Sequence, residues 1–125
     1  MTVGDITIQQ ADNRYMLVNS LGYNVMLVDM PRDGQYFLDA KVLDIIGKTL
    51  SLRWKQKPAS KENKLASFGY SGLNVIQVER NGYAIYLPHG TQIVMVYFPL
   101  DNNYIDDDKC LKIITKFLAL RYGIK

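Results

Sequence analysis

The stretch Thr91-Gln92-Ile93-Val94-Met95-Val96-Tyr97-Phe98 reads as a strand that is apolar on both faces. Side chains alternate along a strand, so Ile93, Met95 and Tyr97 point one way and Val94, Val96 and Phe98 the other. Residues 23–30 behave alike, with Val25 and Leu27 opposed to Met26, Val28 and Met30. Neither set belongs in water. The sequence offers one clear helix, over 106–122, and one helix covers one face. The remaining face then needs a second sheet, a barrel closed on itself, or another copy of the chain.

Outward from this stretch, most of the chain reads as short strands. Ile6 and Ile8 alternate with polar neighbours over 5–10, and 15–19 forms a further strand. Residues 75–80 and 83–87 flank Asn81-Gly82, which predicts a type I′ hairpin turn because both residues tolerate positive φ. Residues 36–46 fit two periods. Leu38, Val42, Ile45 and Ile46 form a helical stripe that Gly47 would cap, but the β-branched Val42, Ile45 and Ile46 favour a strand, the reading adopted here. Residues 49–54 alternate Leu50 and Leu52 against Thr49, Ser51 and Arg53, a second strand pattern.

The helix over 106–122 has Asp106 as its expected N-cap and Gly123 as its stop. Its apolar stripe is Cys110, Ile113, Ile114, Phe117 and Leu118, opposite Lys109, Lys112 and Lys116. The expected fold is α+β: a curved antiparallel sheet of about seven or eight strands, open or barrel-like, with one C-terminal amphipathic helix. One domain spans 1–125, without an internal repeat or a linker.

Several functions are disfavoured by composition. Cys110 is the only cysteine and His89 the only histidine, so neither a disulfide nor a zinc cluster is expected. No basic segment followed by an apolar run opens the chain, and no apolar stretch is long enough to span a bilayer. The expectation is a cytoplasmic protein with no cofactor and no membrane contact. Gly47-Lys48-Thr49 lacks the earlier glycine of a phosphate loop, since Val42 stands there. Gly69-Tyr70-Ser71-Gly72 lacks the last glycine of a nucleophile elbow, since Leu73 stands there. Asp106-Asp107-Asp108 is explained by the start of a helix, and Cys110 by its place on a buried stripe.

The most suggestive functional signal is basic and aromatic. The net charge is +3, yet residues 53–64 alone hold five basic residues and one acid. Arg53, Lys55, Lys57, Lys61 and Lys64, with the rings of Trp54, Phe68 and Tyr70, suit phosphates and unpaired bases. They fall in or beside a long irregular segment, 55–72, of the kind that carries contacts.

Three functions follow as expectations. The first is a non-catalytic binding or accessory protein using the apolar sheet face, as a homodimer or with a protein partner, together with the basic loop. The second is polyanion or nucleic-acid binding through 53–70. The third is a small-ligand binder or enzyme with a cavity inside a curved sheet.

Overall fold

A computed structural model describes residues 1–55 and 70–124. Seven strands form one antiparallel sheet: β1 (Thr2–Val3), β2 (Ile6–Ala11), β3 (Arg14–Val18), β4 (Asn24–Asp29), β5 (Asn74–Gln77), β6 (Gly82–Tyr86) and β7 (Gln92–Tyr97). Their spatial order is β1-β2-β3-β4-β7-β6-β5. The edges β1 and β5 do not pair, so the sheet is open and the barrel alternative falls away. Two helices accompany it, α1 (Tyr36–Lys55) and α2 (Tyr104–Tyr122).

Helix α1 overturns the strand reading of 36–46 and of 49–54. Tertiary packing decides the matter. Leu43, Ile46 and Leu50 recur at helical spacing and are wholly buried, whereas a strand would have turned half of this run outward. Gly47 lies inside the helix and does not cap it. A Cβ there would come within 3.1 Å of Val3 Cβ, so the glycine lets α1 press against β1. Helix α2 starts earlier than expected. Its N-cap is Asn103, whose side chain accepts from the Asp106 backbone N–H. The β5–β6 hairpin exists at Asn81, but neither Asn81 nor Gly82 has positive φ, so the turn is not type I′. Asn81 is instead tied across the sheet, its Nδ2 donating to Phe98 O at 2.8 Å.

Both helices lie on one face of the sheet. The register puts Leu17, Met26, Val96 and Tyr83 side by side, and Tyr15, Val28, Val94 and Ile85 likewise. All eight are buried, in one core with Leu43, Ile46 and Leu50 of α1 and Leu111, Ile114 and Leu118 of α2.

The chain is an internal duplication, contrary to the expectation of no repeat. The ladder between β4 and β7 pairs Met26 with Val96, Leu27 with Met95 and Val28 with Val94. A shift of 68 residues exchanges the members of this set, so a pseudo-two-fold axis passes between Leu27 and Met95. The same shift relates details far from the axis. The β3–β4 ladder is irregular between Leu17 and Val18, and the β6–β7 ladder between Ile85 and Tyr86. Asn13 Nδ2 donates to Met30 O at 2.7 Å, as Asn81 does to Phe98. The Met30 N–H returns to Asn13 O, and the Phe98 N–H to Asn81 O, each at 2.9 Å.

Sequence agrees: twelve of the twenty-five residues in 31–55 recur in 99–123, among them Pro31/Pro99, Asp33/Asp101, Asp39/Asp107, Leu43/Leu111, Leu50/Leu118 and Arg53/Arg121. Each repeat is three strands and a helix, β2-β3-β4-α1 and β5-β6-β7-α2, with β1 added to the first. A strand reading of 36–54 hides the match, because it sets strands in one copy against a helix in the other.

Candidate functional site

Of the eight residues expected to form a basic and aromatic contact segment, Lys57, Lys61, Lys64 and Phe68 lie outside the described residues. The other four do not come together as one surface. Lys55 is exposed at the end of α1. Arg53 is fully buried. Its Nη1 and Nη2 donate to the two oxygens of Asp101 at 2.9 and 2.6 Å, and its Nε donates to Asp107 Oδ1 at 2.8 Å. The guanidinium is therefore a structural clamp and offers no charge to an outside phosphate. Tyr70 is half-buried and its hydroxyl donates to Asp108 Oδ1. Trp54 is also half-buried, with its ring stacked on Tyr23 at a centroid distance of 5.9 Å.

The duplication gives the Arg53 clamp a twin. Arg121, in the last turn of α2, donates from Nη1 and Nη2 to Asp33 at 2.8 and 2.6 Å and from Nε to Asp39 Oδ1 at 2.7 Å. Each helix thus ends in an arginine that grips two aspartates at the start of the other helix. This fixes the pair antiparallel.

The twins differ in one partner. Tyr15 donates to Asp39 Oδ2 at 2.9 Å, but the equivalent Tyr83 hydroxyl is buried with no partner among the described residues. Burial pushes the Asp107 carboxyl up to about 6, and Arg53 offsets this only in part. On the arginine side, burial alone would lower Arg53, but Asp101 and then Asp107 more than reverse that. The two directions are compatible. Asp101 takes two of the guanidinium donors and leaves Asp107 the Nε–H, with no tyrosine hydroxyl to add.

Cys110 is buried, and burial pushes its thiol up to about 12, so it is a protonated core side chain at neutral pH. Asp106, Asp107 and Asp108 each have a protein partner: Asn103, Arg53 and Tyr70 respectively. No cluster of three metal-ligating side chains occurs among the described residues. His89 sits in an exposed turn, its Nδ1 3.1 Å from the Thr91 hydroxyl.

Two clefts stand out, and the duplication relates them as well. The first, of about 570 Å³, is lined by Tyr23, Asn24, Trp54, Glu79, Asn81 and the 97–100 segment. The second, of about 740 Å³, has Thr91, Gln92, Tyr122, Ala11, Asn13 and Asp29 through Arg32 at the corresponding positions. Each cleft draws on both repeats. Neither is legible in the sequence without the repeat, although Trp54 stands out there for a different reason.

The sheet face away from the helices is the third candidate. Register sets Met16, Leu27, Met95, Ala84 and Ile76 in one row across it. Leu27 is 37% exposed and Ile76 50%. Beside this row Tyr97 lies over Gly82, where a Cβ would meet the ring at 2.9 Å. The β2–β3 side is polar, with Thr7, Gln9 and an ion pair between Arg14 Nε and Asp29 at 2.7 Å.

No family model, curated protein or solved structure matches the chain. Among the described residues no helix is long and apolar enough to cross a membrane.

Proposed function

We propose that this protein is a non-catalytic binding module that works through the open face of its sheet, with a second copy of the chain as the occupant. The observation that carries the reading is the apolar half of that face. Leu27, Met95, Tyr97, Tyr86 and Ile76 lie on strands β4 to β5 with no helix over them among the described residues. Contiguous apolar surface of this kind marks association sites. A two-fold pair lays one such patch on another, which is the commonest way identical chains associate. Arg53, Asp107 and Cys110 are buried, so none of these three is presented to an outside substrate, which favours binding over catalysis at them.

Light scattering at micromolar concentration tests the reading. It should give about twice the 14.3 kDa chain mass. Leu27→Lys combined with Ile76→Lys should return the chain mass with an unchanged far-ultraviolet circular dichroism spectrum. Both positions are exposed, so the charges fit the folded monomer. A wild-type monomer at these concentrations would sink the proposal.

A further inference from the structure

The two clefts are lined by residues at equivalent positions of the two repeats and differ chemically. In the second, every charged side chain is paired within the protein. Arg32 Nη1 donates to Asp12 at 3.0 Å, and Arg14 Nε to Asp29 at 2.7 Å. The Tyr122 hydroxyl donates to Asp29 O at 2.7 Å, which ties α2 to the cleft wall. That cleft is satisfied by its own residues.

The first cleft differs at the corresponding places, and each difference points the same way. Thr91 of the second cleft is matched by Tyr23, Asp29 by Tyr97, and Tyr122 by Trp54. Aromatic rings replace a hydroxyl, a carboxylate and a tethered phenol. Arg32 is matched by Leu100 and Arg14 by Gly82, so both cations are gone. Ala11 is matched by Glu79, which adds an exposed carboxylate with no ion pair among the described residues. Tyr23 and Trp54 are already stacked, and Tyr23 stays 57% exposed. The result is an open cleft with three partly exposed rings, one unpaired acid and, among the described residues, no basic lining residue.

We propose that this cleft binds a small organic cation of the quaternary-ammonium class. The faces of aromatic rings carry negative charge density, and a cation too bulky to hold tight water is attracted to them at little desolvation cost. Tyr23, Trp54 and Tyr97 supply the faces. Glu79 supplies the countercharge at the rim. An anion would meet the acid and the ring faces and find no lining residue of opposite charge among the described residues. The site shares Tyr97 with the proposed association face, but Tyr23, Trp54 and Glu79 lie off its apolar row, so substitutions there test the cleft separately.

Choline is the probe, and 3,3-dimethylbutan-1-ol, of the same shape but uncharged, is the control. Trp54 is the only tryptophan, so one indole N–H resonance in a ¹⁵N correlation spectrum reports on the cleft. Choline should shift that resonance saturably, and the neutral alcohol should bind at least about fivefold more weakly. Glu79→Gln should weaken choline and leave the alcohol unchanged. Tyr23→Leu, at an exposed position that carries no core packing, should weaken choline about as much. No saturation by about 100 mM choline, or equal binding of choline and the alcohol, overturns the proposal. Light scattering of the Glu79→Gln variant should match wild type, so a failed binding site and a failed dimer remain distinguishable.

Discussion

Tyr15 and Tyr83 hold equivalent places in the two repeats and differ by one hydrogen bond. The Tyr15 hydroxyl reaches the buried Asp39 carboxylate, and that of Tyr83 reaches nothing among the described residues. A hydrogen bond to a charged group contributes about 1.5 kcal/mol or more, whereas a buried hydroxyl without a partner carries its desolvation cost uncompensated. Tyr15→Phe should therefore destabilise by about 1.5 kcal/mol in urea unfolding, and Tyr83→Phe should be neutral or stabilising. Equal losses at both positions would mean that the Tyr83 hydroxyl has a partner after all. The phenol of Tyr83 is pushed up to about 12, first by burial and then by Asp107, so it stays neutral through this experiment.

At the scale of elements, the reciprocal arginine clamps set the pH response of the helix pair. Asp33 is held down to about 2, chiefly by its hydrogen bonds from Arg121. Its folded pKa lies below the unfolded value of about 3.9, so its contribution is present above that value and is lost as pH falls toward 2. Asp107 runs the other way. Its folded pKa of about 6 lies above the unfolded value, so its contribution is full below about 4 and is lost as pH rises through 6. Melting temperature should accordingly fall as pH rises from about 4 to about 6, and Asp107→Asn should flatten that limb. An unchanged slope in the variant would assign it to another group.

How the elements read in the sequence follows from the same chemistry. The strands at 24–29 and 92–97 are legible because each is a short run, apolar on both sides and bounded by turn residues, as suits the central strands of a sheet. The second hairpin is legible from Asn81, though for the wrong turn, because Asn81 serves the Phe98 carbonyl rather than a positive φ. Helix α1 is not legible. Val42, Ile45 and Ile46 favour strands locally, and only packing against β1 and α2 overrides them. Arg53 misleads for a related reason. Its partners Asp101 and Asp107 lie about fifty residues away, and sequence spacing alone does not pair them. The repeat is the available remedy: Arg53 and Arg121 occupy one position in two copies, so a structural role for either implies one for both.

At the scale of the whole molecule, the duplication makes the chain its own partner. The open strand edge of each three-stranded unit, and the helix beside it, find their partners inside the chain. β4 pairs with β7, and α1 crosses to α2 through both clamps. Neither repeat would bury its apolar residues alone. A unit of about 60 residues hides only about 60% of its unfolded surface, and here the β4 or β7 edge would also be left open.

The two repeats should therefore remain assembled without a covalent link. A protease site placed between Lys55 and Tyr70, then cut under native conditions, should yield two fragments on a denaturing gel. Light scattering and circular dichroism of the cut protein should match the uncut protein, because the sheet ladder at Leu27 and Met95 and the four clamp aspartates are untouched. Unfolding and refolding the cut fragments together should restore the spectrum at a rate that depends on concentration, since the association has become bimolecular. Fragments that separate in native buffer would show that the connection, rather than the pseudo-two-fold interface, holds the halves together.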